Sequence, residues 1–141
     1  MITYNSCDRV SNSIAETNDC TVKAIAIACN EPYKKVHAAL KAAGRKPRKG
    51  VRSHVYQTVA KNLGYTLTPI KTDAKTINQL PIQLNVNKRY IAEVRAHALA
   101  IVHGAVEDWT AKGSKRRVTD VWEVTPNISK NAKRKAKRYA K

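Results

Sequence analysis

Apolar and polar positions along the 141-residue chain change their period once, at Gly64. Before it the period is helical. The segment Cys20 to Cys29 is rich in alanine and isoleucine and apolar on most sides, the pattern of a helix buried at the centre of a small domain. Asn18 or Asp19 can cap its N-terminus, because either side-chain oxygen can accept an orphan backbone N–H. Tyr33, Val36, Leu40 and Ala43 recur at helical spacing behind Pro32, which a first turn tolerates, and Gly44 is a natural stop. A third helix is predicted from about Ser53, with Val55, Val59 and Leu63 inward and Gly64 ending it. The first 17 residues are polar and show no clear period.

After Gly64 the pattern alternates. Tyr65, Leu67 and Pro69 against Thr66 and Thr68 predict a strand, and Ala74 to Leu80 a short helical turn. Arg89 to Arg95 and His97 to Val102 read as strands. His103-Gly104 reads as a tight turn, from which Ala105 to Trp109 returns as the partner strand. Val118 to Val124 is the last strand, and from Pro126 the chain is a basic tail. Helices followed by antiparallel strands define an α+β domain, expected over residues 1–125 with a tail over 126–141.

Composition narrows the class. Hydrophobic residues make up 43% of the chain, enough to bury a core. Lys and Arg number 27 against 10 acids, a formal charge of +17, which predicts attraction to polyanions. No apolar run is long enough for a transmembrane helix, so no membrane partner is expected. The start lacks the basic and apolar stretches of a signal peptide, so secretion by that route is not expected. Three cysteines argue against a closed disulfide framework and fit a reduced, cytoplasmic compartment. They are spaced too widely for a zinc motif, and five glycines leave little room for a phosphate loop. No metal or cofactor is expected.

Three positions carry candidate chemistry. Cys20 opens the most buried helix, where the N-terminus favours the thiolate, the nucleophile of covalent acyl chemistry. Cys29, deep in the same helix, reads as a buried hydrophobe, and Cys7, in the polar leader, as incidental. If His103-Gly104 is a two-residue turn, Leu99 faces Asp108, and His97 and Asp108 are diagonal neighbours on one face, within side-chain reach. A one-residue slip would separate them. A carboxylate so placed orients an imidazole, and a thiol, a base and an orienting acid together fill the roles of a catalytic triad. His37 and His54, on helices, and His103, in the turn, are weaker candidates.

The segment NDCTVKAIAIACNEPYKKVHAALKAAGRK followed by HALAIVHGAVEDW resembles papain-like cysteine peptidases, in particular small phage-type and bacteriocin-processing-peptidase-like members. The Asp-Cys pair opening an apolar helix and the His-x-x-x-Ile-x-x-Gly-x-x-x-Asp run carry the likeness, which spans residues 12 to 124. The resemblance implies a helical half packed on a twisted antiparallel sheet, with the active site in the cleft between. It makes Cys20 the nucleophile, His97 the base and Asp108 the orienter of a peptidase-like amide hydrolase. It also implies a phage-encoded protein found in the host cytoplasm or virion, with a protein or peptide substrate. Such peptidases often carry a glutamine several residues before the cysteine, where this chain reads Ser13, Ile14, Ala15 and Glu16. Asn18, the Cys20 N–H or the more distant Asn12 are the oxyanion candidates in its place.

Basic residues cluster three times: Arg45, Lys46, Arg48, Lys49 and Arg52; Lys112, Lys115, Arg116 and Arg117; and Lys130, Lys133, Arg134, Lys135, Lys137 and Arg138 in the tail. No sequence-reading motif accompanies them, so DNA or RNA would be held through phosphates, without sequence preference and with strong salt dependence. Tyr139 can stack on a base. A catalytically inactive scaffold that binds nucleic acid, or acts as a phage structural or host-interaction protein, is the alternative to the enzyme.

Overall fold

The structure, a computed structural model, describes residues 1–95, 97–108 and 116–127. Four helices come first: α1 (Tyr4–Ser13), α2 (Cys20–Cys29), α3 (Tyr33–Ala42) and α4 (Ser53–Asn62). Strand β1 (Tyr65–Pro69) leads to a 3-10 turn and the short α5 (Leu80–Gln83). Strands β2 (Arg89–Val94), β3 (His97–Val102), β4 (Ala105–Glu107) and β5 (Val118–Pro126) complete the order. The five strands of the described residues form one antiparallel sheet, ordered β1-β5-β2-β3-β4. The fold is α+β.

The composition of α2 explains its place. From Val22 onward every residue but Lys23 is buried, because α2 packs along β3 while α1, α3 and α4 close around it. Ala98 and Ala100 on β3 present little bulk, so the helix approaches the sheet closely. Ile91, Trp122 and Val124 fill the rest of that face, with Tyr56 of α4 packed edge-on to Trp122. The opposite face is also covered. Tyr90, Leu99, Ile101 and Val121 pack against Ile77, Leu80 and Leu84 of the 70–88 connection. Two covered faces are why β2 and β3 read as continuous apolar runs rather than as alternation.

The hairpin forms with the expected register. His103 (φ 52°) and Gly104 (φ 78°) both take the left-handed conformation that a two-residue turn of this hand requires. Val102 then pairs with Ala105, Ile101 with Val106 and Ala100 with Glu107.

Several expectations are corrected. The polar leader contains α1, whose N-cap Thr3 exchanges hydrogen bonds with Ser6 in a capping box. Cys7 is not incidental but buried in the main core, with Ser11 beside it on the buried side of α1. β4 ends at Glu107, and Asp108 follows it. β5 runs on to Pro126, which pairs with Tyr65, so the sheet claims the first residue of the expected tail. Its register shifts once against β2, Glu93 pairing with Asp120 and Val94 with Val118, which leaves Thr119 as the extra residue of a bulge. Trp109, Lys112, Lys115 and the tail cations Lys130, Lys133, Arg134, Lys135, Lys137 and Arg138 lie outside the described residues, as does Tyr139. Among the described residues no helix is long and apolar enough to cross a membrane.

Candidate active site

Cys20 is the first residue of α2, and His97 the first of β3. The packing of α2 along β3 sets Cys20 beside His97 and the Ala98 backbone N–H, both of which favour its thiolate. His97 Nε2 lies 2.9 Å from Asp108 Oδ2. Both partners are largely out of water, the imidazole 11% and the carboxylate 3% exposed. The three candidates chosen from the sequence therefore line one cleft, with a hydrogen bond joining His97 to Asp108.

The electrostatics follow from burial and partners. At Cys20 burial opposes the thiolate, but hydrogen bonds from His97, the Ala98 N–H and Thr21 outweigh it, and the thiol pKa falls below its ordinary value of 9.0. Burial likewise opposes the imidazolium of His97, yet the Asp108 carboxylate and then Cys20 raise its pKa to about 9. Nothing comparable reaches the other two thiols. Burial lifts Cys7 to about 11 and Cys29 to about 12. One cysteine of three is thus poised to ionise.

Cys20 and His97 open onto a cleft of about 350 Å³. Tyr4, Gly50, Leu99 and Glu107 supply further parts of its wall. Tyr4 donates its backbone N–H to Glu107 Oε2 at 3.0 Å, tying the start of α1 to the strand end that carries Asp108.

Asp19 occupies the N-cap position of α2, but its side chain caps no helix N–H. It accepts instead from the Tyr33 hydroxyl at 2.6 Å and stands 3.6 Å from Lys23 Nζ. Lys23 also bonds Asp8 at 3.0 Å and lies over the Tyr4 ring, 4.9 Å from its centroid. Asp19 and Lys23 belong to the cleft lining, and the sequence reading passed over both in that role. A signal was present: Lys23 is the single charge in an otherwise apolar helix, one turn beyond Cys20.

Of the oxyanion candidates, Asn18 lines the cleft in a left-handed conformation (φ 50°), and its Nδ2 donates to the Arg48 carbonyl at 3.2 Å. Asn12 is exposed on α1 and does not line the cleft. Glu16, near the position where a glutamine was sought, is buried beside Arg45 rather than in the cleft.

Arg45 corrects the expected phosphate-binding set. It is 7% exposed, with Nη1 on Glu16 at 3.1 Å and Nε on the Lys49 carbonyl at 2.9 Å, so it is a structural cation rather than a surface one. Lys46, Arg48, Lys49, Arg52, Arg116 and Arg117 are exposed.

Compared with protein-family models, with curated proteins and with solved structures, the chain has no match.

Asp108→Asn is expected to weaken the carboxylate hydrogen bond that leads in raising His97 and to remove the charge that adds to it. Hydrolysis of an amide substrate should fall by about tenfold or more, yet by less than on losing Cys20, and the alkaline limb of its pH profile should move below 9. An unchanged limb would remove Asp108 from the proton chain.

Proposed function

We propose that this protein is a thiol-dependent amide hydrolase of papain-like type, with Cys20 as nucleophile, His97 as general base and acid, and Asp108 as its orienter. The observation that carries it is the convergence of Cys20, half-buried His97 and buried Asp108 on one cleft, with His97 hydrogen-bonded to Asp108 and the Cys20 thiol pKa lowered beside His97. The resemblance in sequence and the helical layer packed on an antiparallel sheet support the same assignment.

The chemistry follows from the placement. The Cys20 thiolate adds to the carbonyl carbon, and the π electrons move to oxygen. The first-turn N–H groups of α2, which the Asp19 side chain leaves uncapped, face the developing charge at the positive end of the helix. The imidazolium of His97 then gives its proton to the departing nitrogen as the C–N bond breaks, leaving a thioester. His97 next takes a proton from water, whose oxygen displaces the thiolate. Asp108 holds the ring in register and stabilises its cationic form throughout.

Cys20→Ala should leave the fold intact and reduce hydrolysis of a fluorogenic protein substrate by about a thousandfold or more. A Cys20→Ala protein that remained fully active would remove the triad from the reaction.

The formal charge of +17 favours a second property, association with nucleic acid through phosphate contacts. The two are compatible: a hydrolase held on nucleic acid can act on a neighbouring protein.

A further inference from the structure

Resting on the amide-hydrolase function proposed above, we infer that the cleft selects a cationic polypeptide segment, in which a lysine or arginine side chain beside the scissile bond is held by Glu107.

The cleft has the sign opposite to the chain. Of the 10 acidic residues in a chain of charge +17, Asp19, Glu107 and Asp108 line it, and Asp8 adds a fourth carboxylate against Lys23. Among the described residues Lys23 is the one lysine of that lining, and no arginine joins it. Its ammonium lies 3.0 Å from Asp8 Oδ1 and 3.6 Å from Asp19 Oδ1, so two carboxylates outweigh it.

Glu107 differs from the other carboxylates of the lining. Asp19 is engaged by Tyr33 and Lys23 and Asp108 by His97, and both are buried. Glu107 is half-buried at the end of β4. Its Oε2 accepts from Tyr4 N–H at 3.0 Å, and among the described residues no cation pairs with it. That hydrogen bond fixes the carboxylate in advance, so a substrate ammonium or guanidinium meets an acceptor already in place. The wall also suits the stem of such a side chain. Ala24, Ala98 and Leu99 offer apolar surface along which a lysine or arginine lays its methylenes while its head stays polar. A cleft of about 350 Å³ is small for a ligand site, so a cation at Glu107 sits within a residue or two of the carbonyl that Cys20 attacks.

A phosphate or an acidic side chain would meet the same carboxylates and be repelled. The positive charge of the chain as a whole does not reverse this. At about 0.15 M salt the Debye length is about 8 Å, so cations farther than that from the cleft are screened, whereas Glu107 is in contact with what the cleft holds.

The test uses short peptides with a central vinylogous amide, identical but for Lys, Gln or Glu on both sides of it. The Cys20 thiolate adds to the alkene carbon β to the carbonyl, forming the C–S bond, and the proton from His97 goes to the α carbon. Each labelling rate is divided by that of iodoacetamide on the same protein, which cancels changes in the thiol itself. At about 0.15 M salt the Lys peptide should label Cys20 about tenfold or more faster than the Glu peptide, with the Gln peptide between them. Glu107→Gln, which keeps an acceptor for Tyr4 N–H, should cut that ratio by about threefold or more, and Glu107→Lys should reverse it. Equal rates for the three peptides in the parent protein, or a faster Glu peptide, would overturn the cationic-substrate assignment and leave the hydrolase standing, whether or not the variants fold. A Lys preference undiminished in Glu107→Gln would overturn Glu107 as its source. Anisotropy titration with saturated analogues of the same peptides, which cannot react, reads binding apart from thiol chemistry. Tighter binding of the Lys analogue, weakened by Glu107→Gln, with no labelling of Cys20 by any peptide, would overturn the hydrolase and retain the cationic occupant.

Discussion

In His97→Ala, alkylation of Cys20 by iodoacetamide at pH 6 is expected to slow by about tenfold or more, because each pH unit by which a thiol's ionisation moves up is a factor of ten in thiolate below it. The thiol lies below 9.0 because hydrogen bonds to His97, Ala98 and Thr21 overcome burial. Removing the first of these lets burial prevail, as it does at Cys7 and Cys29, which sit at about 11 and 12. Those two thiols are internal references in the same labelling experiment, read out peptide by peptide by mass spectrometry. In the unmodified protein the ion pair occupies a window between the lowered pKa of Cys20 and about 9 at His97. The linked stabilities run in opposite directions. The imidazolium's contribution is complete below 6.5, its ordinary value, and lost as pH rises through about 9. The thiolate's is complete above 9.0 and lost as pH falls through its lowered pKa. Identical pH profiles for Cys20 labelling in the two proteins would mean that His97 does not ionise the thiol.

Glu16→Ala should cost about 3–5 kcal/mol of stability in urea unfolding, since it strands a buried guanidinium. Glu16 is the hub of a buried polar cluster. Its Oε2 holds Arg45 at 3.1 Å and the His37 ring at 2.7 Å, and its Oε1 accepts from the backbone N–H groups of Arg48 at 2.6 Å and Thr17 at 3.1 Å. The Arg45 contact leads in lowering its pKa, against burial, to about 2. Its stabilising contribution is therefore present above 4.5, the ordinary value, and is lost as pH falls through about 2. Glu16→Gln should be milder and show a shallower loss of stability in acid. The same cluster suspends both the 17–19 segment leading to Cys20 and the basic loop that contributes Gly50 to the cleft. Glu16→Ala should accordingly slow Cys20 labelling as well. A variant as stable as the parent would show that Arg45 finds water or another partner at little cost.

The parts legible in the sequence were those set by local rules. Alanine and isoleucine on every side of 20–29 marked a central helix, and Gly44 marked the end of α3. The two-residue turn at His103-Gly104 fixed the register as far as Ala100 and Glu107, and Asp108, one residue beyond the ladder, reaches His97 from there. What escaped depends on tertiary pairing. Helix α1 hides its inward side in small or polar residues, Cys7 and Ser11, although Tyr4, Cys7, Val10 and Ile14 do keep helical spacing. No local rule tells that β5 enters between β1 and β2, or that residues 70–88 cover the second face. Arg45 looks like any other cation of a basic loop until Glu16, 29 residues earlier, is folded against it. Tertiary packing likewise concealed Asp19, whose proximity to Tyr33, 14 residues on, comes from the packing of α2 and α3.

The position of β5 has a consequence for how the protein comes into being. Cys20 is synthesised well before His97 and Asp108, and the meander β2–β3–β4, which starts β3 with His97 and leads into Asp108, can pair locally. Yet among the described residues β1 joins the rest of the sheet only through β5, the last of the five strands in sequence order. A sheet closed by its final strand has long-range pairing as its slow step. Until that strand emerges from the ribosome, β2 has no partner on its outer edge and the strand that begins with His97 has only part of its support. The Cys20 thiol is therefore made early and meets His97 and Ala98 late, so its pKa falls only once the sheet has formed.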